Sequence, residues 1–187
     1  MEPSYLSLVH RSPCVWTMLT LACALYGAKT ANAAATDEVR AEVALIAAAK
    51  HAAKVDDDLG VERQLASGLV RGQRQAPGVV LARRAAAVCG WLQNDGDYGR
   101  AMRVARRAIR ALAAYAEETD RDRATRLYWE AWLEGEVLDH RARALELLQG
   151  AAKLAPDDDH ILAAAQRWAS VLAEFGENPA AAREVAP

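Results

Sequence analysis

From about residue 37 onward, apolar positions recur every three to four residues, and nowhere do they alternate over a run long enough to make a half-buried strand. That period predicts helices throughout. The first covers about 37–55, with Thr36 as N-cap, Asp37 and Glu38 in its first turn and Val39, Val43, Ile46 and Ala47 on one face. Asp56-Asp57-Asp58 closes it and opens a second helix over about 59–73. After the break Gln75-Ala76-Pro77-Gly78, a third runs over about 79–93, and Asn94-Asp95-Gly96-Asp97 is a turn by composition. A fourth helix covers about 98–118, a fifth about 121–138 and a sixth about 139–154, the last ended by Pro156. Asp157-Asp158-Asp159 caps a seventh that stops at Phe175-Gly176, and residues 177–187 read as a frayed tail.

The fourth helix shows how such segments should pack. Ala101, Ala105, Ala108, Leu112 and Tyr115 fall on one face, flanked by Met102, Ile109 and Ala116, while Arg100, Arg103, Arg106, Arg107 and Arg110 point the other way. Small alanines on a buried face allow close helix approach, so antiparallel pairs joined by short loops are expected. Composition strengthens this picture: 43 of 187 residues are alanine, the strongest helix former, and the fold class that follows is all-α. A formal net charge of −2 argues against generic nucleic-acid binding or a polybasic membrane contact.

Ahead of the helices the pattern changes. His10 and Arg11 precede an apolar run from Cys14 to Ala28, broken only by Thr17, Thr20 and Gly27, and small residues follow at Ala31, Ala33 and Ala35. The run is shorter than the roughly 20 residues that span a bilayer. A basic start, a short apolar centre and an Ala-x-Ala exit describe a secretory signal, cleaved after Ala33 or Ala35, over residues 1–33. A buried helix or an uncleaved anchor is the other reading. Leu19-Thr20-Leu21-Ala22-Cys23 resembles a bacterial lipoprotein cleavage site, with Thr20 where an aliphatic residue belongs. Export leaves Cys89 as the one cysteine of the mature chain, a small buried residue with no disulfide to make.

The helix pairs repeat. Gly96-Asp97-Tyr98-x-x-Ala101-x3-Ala105-x2-Ala108 resembles the second helix of a tetratricopeptide repeat, and Ala85, Val88, Cys89 and Leu92 hold the spacing of that family's first helix. The frame returns as Ala144-x3-Leu148-x2-Ala151-x4-Pro156, with Tyr128 in the aromatic place of the preceding helix, and fainter as Leu65-x3-Leu69-x2-Gly72-x4-Pro77. Leu65 to Ala101 spans 36 residues and Ala101 to Ala144 spans 43, against a family period of about 34, which implies a lengthened fourth helix and a longer turn after it. Trp132 stands where a small residue is usual, Gly72 replaces an alanine, and Ala113 replaces the proline that would end the middle unit. The resemblance implies a short solenoid over residues 34–176, about three helix pairs plus a capping helix.

It also implies function. Such repeats are mostly adaptors that hold a peptide or protein in a groove lined by first helices, here Arg83, Arg84 and Ala87 of the third helix and Arg126, Trp129 and Glu130 of the fifth. The expected protein is a non-enzymatic, exported scaffold with no cofactor and no metal. Chemistry-bearing motifs are sparse: His10, His51, His140 and His160 are far apart in sequence, and no metalloprotease, nucleophile-elbow or phosphate-loop motif is present. The two Asp triplets lack the glycine and distal glutamate of a calcium loop and read as helix caps. Glu130 and Glu134, one turn apart, are the candidate carboxylate pair of a competing reading, an envelope hydrolase, and a membrane-anchored structural role is a third. The five arginines of the fourth helix, next to Glu117, Glu118, Asp120 and Asp122, read as a solvated convex surface.

Overall fold

A computed structural model describes residues 33–69, 76–115 and 119–174. Among these the chain forms seven α-helices and no strand: α1 Ala33–Lys54, α2 Asp58–Ala66, α3 Pro77–Asn94, α4 Tyr98–Leu112, α5 Asp120–Trp132, α6 Arg141–Leu154 and α7 Asp159–Glu174. A π-helical turn, Leu133–Val137, extends α5. The expected export segment before Ala33, with Cys23, and the tail after Gly176 lie outside the described residues. Within the described residues, no helix is long and apolar enough to cross a membrane.

Local chemistry explains most boundaries. Asp57 caps α2, its Oδ1 accepting from the Gly60 amide at 2.9 Å. Thr119 caps α5, accepting from the Asp122 amide at 3.0 Å, and Asp158 Oδ1 accepts from the His160 and Ile161 amides at the start of α7. Pro77 opens α3, where its missing N–H costs nothing. Four boundaries differ from the sequence pattern. Helix α1 begins at Ala33, ahead of Thr36, because the alanine run before that threonine is itself helical. Helix α2 stops at Ala66, ahead of Gly68 with its φ of 70°. Helix α4 ends at Leu112 rather than near Glu118, so the extra length before α5 lies in the connection, not in the helix. The fifth helix becomes π-helical at Leu133, and Asp139 (φ 59°) turns the chain into α6.

From Val43 onward the helices alternate in direction. Cys89 Sγ donates to the Ala101 carbonyl at 3.3 Å, close to the turn that folds α4 back along α3. Helices α5 and α6 are likewise antiparallel: Gly135 sits by Ala144 at one end, and Leu127 by Gly150 further along. The alternate helices run parallel. Lys54 Nζ bonds Asp95 Oδ2 at 2.6 Å and Lys50 Nζ lies 5.5 Å from the Trp91 ring centre, both contacts joining α1 to a position 41 residues on in α3. A Cβ at Gly90 would lie 3.8 Å from the Trp132 ring, and Gln93 Nε2 donates to the Glu136 carbonyl at 2.9 Å, so α5 follows α3 in a register of 42–43.

The turns repeat as well. Asp56 (φ 57°), Gly96 (φ 81°) and Asp139 take the left-handed conformation that ends α1, α3 and the π turn, at intervals of 40 and 43 residues. Counting from the turns, Val61, Ala101 and Ala144 are equivalent, all at most 1% exposed, so the first unit stands one helical turn away from the Leu65 alignment. The apolar core divides in three, the smallest part being Ala124, Ala151, Ala155 and Ile161. Residues of α1–α4 form one cluster, which also takes Leu133, Val137 and Leu138, while α5, α6 and α7 enclose another around Leu145, Leu148, Trp168 and Leu172.

Candidate functional site

Helix α3 is buried almost all round. Past its first turn, Arg83, Ala87, Gly90, Trp91 and Gln93 are its only partly exposed residues before Asn94, and all but Gln93 fall on one stripe at helical spacing. The sequence-derived choice of Arg83 and Ala87 thus falls on the wet stripe. Arg84 does not. It is 6% exposed, and its Nη1 donates to the Leu65 carbonyl at 3.0 Å and the Ser67 carbonyl at 2.6 Å. Those carbonyls belong to the C-terminal end of α2, whose last acceptors lack helical partners. Arg84 therefore braces α2 from beneath instead of lining an open groove, because it stands one position off the stripe.

On α5 the expected residues are all half-buried. Arg126 Nη1 donates to Glu130 Oε2 at 2.5 Å, one turn along the same helix, with only 16% and 12% of the two side chains exposed. The Trp129 ring meets Tyr128 edge-on, with centroids 5.3 Å apart. The 42–43 register sets Ala87 at the level of Trp129 and Glu130, and Arg83 at the level of Arg126. Trp132, which departs from the expected small residue, lies over Gly90, where an added Cβ would stand at ordinary contact distance, 3.8 Å from the ring.

Helix α1 meets the end of α3 through Lys50 and Lys54, and its Val43 and Ala47, two and one turns earlier, are exposed, Val43 to 49%. Sequence spacing puts Val39, Val43, Ile46 and Ala47 on one face of this helix; Ile46 packs against the core, while Val43 and Ala47 do not. Lys50 and Lys54 converge on Asp95, holding that carboxyl below the usual carboxylate range, chiefly through the Lys54 hydrogen bond and then Lys50. The same bond raises Lys54.

Glu130 and Glu134 take separate partners. Arg126 holds the first, and His140 Nδ1 lies 2.8 Å from Oε2 of the second. The π turn makes that contact, since it brings His140 round to donate its amide to the Glu134 carbonyl at 2.8 Å. Sequence spacing concealed the histidine. Away from this face, the α4 arginines are partnered rather than merely solvated. Arg100 and Arg103 pair with Asp56, and Arg107 bonds both Asp58 and Glu62 at 2.6 Å; Glu62 and Asp58 raise the Arg107 guanidinium further. Arg106 and Arg110 project into solvent. Among the described residues no cluster of three His, Cys, Asp or Glu side chains is placed to hold a metal ion.

The chain matches no family model, no curated protein and no solved structure.

Proposed function

We propose that this chain is an exported helical-repeat scaffold, built like a tetratricopeptide array, that binds a segment of another protein without catalysing a reaction on it. The observation that carries this reading is the common register of α3 and α5. Helices α3 and α5 run parallel in a register of 42–43 residues, which supports a shared face of Arg83 and Ala87 with Arg126, Trp129 and Glu130, and the end of α1 runs parallel beside them at Lys50 and Lys54. A face composed of several units at fixed spacing suits an elongated partner, which takes affinity from many small contacts along its length. The apolar amino-terminal run and the small residues at Ala31, Ala33 and Ala35 support export with cleavage.

A photoreactive phenylalanine at position 87, incubated with envelope extract and illuminated, should form covalent adducts with protein. The same residue at Ser170, on the outer side of α7, should form none. Equal adducts at both positions, or none at either, would contradict the reading. Intact-mass measurement of the exported protein should give a start at Ala34 or Thr36, and a species retaining Met1 would remove the export part.

A further inference from the structure

We infer that the outward sides of α2 and α4 form a docking surface for an anionic lipid layer. The inference is independent of the binding reading above, and two separate observations meet in it. The first is charge. Residues 43–112 hold twelve Lys and Arg against six Asp and Glu, while residues 113–187 hold eight against fifteen, a division that the whole-chain charge of −2 conceals. The six carboxylates of the basic half are all engaged: Asp56 with Arg100 and Arg103, Asp57 with the Gly60 amide, Asp58 and Glu62 with Arg107, Asp95 with Lys50 and Lys54, and Asp97 with Arg100. Arg63, Arg106 and Arg110 are exposed and have no partner among the described residues. Glu117 and Glu118, which follow α4 in sequence, lie outside those residues.

The second is apolar exposure. Among the described residues, the large apolar side chains left exposed are Val43 (49%), Val55 (60%), Leu59 (68%) and Tyr98 (59%), and all four belong to the basic half. Geometry joins three of them to the arginines. The bonds from Arg107 to Asp58 and Glu62 set α2 beside α4, and Arg63 and Arg110, 47 positions apart like the paired Asp56 and Arg103, stand at one level. Leu59 and Arg63 lie on the side of α2 opposite buried Val61 and Leu65, and Arg106 and Arg110 lie on the side of α4 opposite buried Ala101, Ala105 and Ala108. Tyr98 lines one depression with Asp56 and Arg103, next to the turn that carries Val55. Unpaired guanidiniums bordered by aliphatic and tyrosine side chains suit a membrane surface, where the cations meet lipid phosphates and the apolar tips enter the headgroup layer. Two helix sides lying next to each other offer a broad contact, which fits a lipid sheet better than a single peptide. Repulsion of the acidic half by the same lipids sets the orientation.

The test is co-sedimentation of the full chain with vesicles of phosphatidylcholine alone, or of phosphatidylcholine and phosphatidylglycerol in equal parts. Binding should be at least tenfold stronger on the anionic vesicles. It should fall at least tenfold with Arg63→Glu, Arg106→Glu and Arg110→Glu combined, and several-fold with Leu59→Ser. In a chain with Cys14 and Cys23 replaced by alanine, an environment-sensitive dye on Leu59→Cys should brighten with anionic vesicles, and the same dye on Ser170→Cys should not. Equal binding to both vesicle types, binding that survives the three arginine substitutions, or brightening at both positions overturns the inference. Capture of polyglutamate through the same arginines without vesicle binding also overturns it, and assigns the surface to an acidic protein segment.

Discussion

Around α1 and α2 the core is built of smaller side chains, Ala49, Ala52, Ala53, Val61 and Leu65, and is rimmed by ion pairs to α4 and the end of α3, whereas α5, α6 and α7 close around one large ring. Asp56, Asp58 and Glu62 meet Arg100, Arg103 and Arg107, and Lys50 and Lys54 meet Asp95, at contacts open to water. In the other half a Cβ at Gly135 would stand 2.4 Å from the Trp168 ring and 3.0 Å from Ala144. The ring is 9% exposed and Leu145, Leu148 and Leu172 at most 1%. Exposed ion pairs contribute little and weaken with salt, while buried aromatic packing contributes several times more and does not. The difference teaches that the half carrying the exposed Val43 and Ala47 is the looser one, and the half with the π turn is the anchor.

Removing the anchor should have the largest effect. Trp168→Ala should cost about 3–5 kcal/mol in urea unfolding, a large part of the ~5–15 kcal/mol typical of a domain. A neutral result would mean that α7 does not cover the α5–α6 pair. Gly135→Ala should cost about 1–3 kcal/mol by overpacking, and most of that loss should vanish in a Trp168→Ala background. Additive losses would show that the ring and the glycine do not share one space.

Charge-linked effects should be smaller and confined to the first half. Arg107→Ala should cost up to about 1 kcal/mol, and raising salt to about 1 M should speed amide exchange in α1 and α2 while leaving α6 and α7 unchanged. Uniform acceleration would erase the distinction between the halves. The Lys50–Lys54–Asp95 clip should fail on both sides of neutrality. Asp95 is depressed in the folded chain, so its contribution is present above the ordinary carboxylate value of 3.8 and is lost as pH falls below it. Lys54 is raised, so its contribution is present below 10.5 and is lost as pH climbs beyond. Asp95→Asn should flatten both edges in a pH series of α1 exchange rates. Cys89, 0% exposed and with its thiol pushed up by burial, should resist alkylation until the protein unfolds.

Much of the fold is legible because alanine-rich amphipathic periods have one solution, helices whose small faces touch. The seven helices, the arginine face of α4 and the buried stripe of α7 through Ile161, Ala165, Trp168, Ala169 and Leu172 follow from spacing alone. What spacing does not carry is anything set by a long-range fit. Within the π turn Gly135 lies against the ring of Trp168, 33 residues away, and His140 meets Glu134 just past that turn. Arg84 and Arg83 are adjacent arginines in sequence; one braces α2 and the other is wet, a difference that depends on the α2–α3 contact. The exposure of Val43 and Ala47 on α1 was not legible either, since a helix whose apolar residues face solvent looks in sequence like one that buries them.

The register of α1 against α3 underlies the whole array, and chemical bridging tests it most directly. In a chain with Cys14, Cys23 and Cys89 replaced by alanine, cysteines at Ala47 and Ala87 should be joined by a bifunctional maleimide of about 10 Å, the spacing of neighbouring helix axes. A pair at Ala47 and Ser170 should not be. Efficient bridging of the first pair alone, with α1 and α3 recovered on one linked peptide, is the expected result; failure to bridge it in the folded chain would contradict that register.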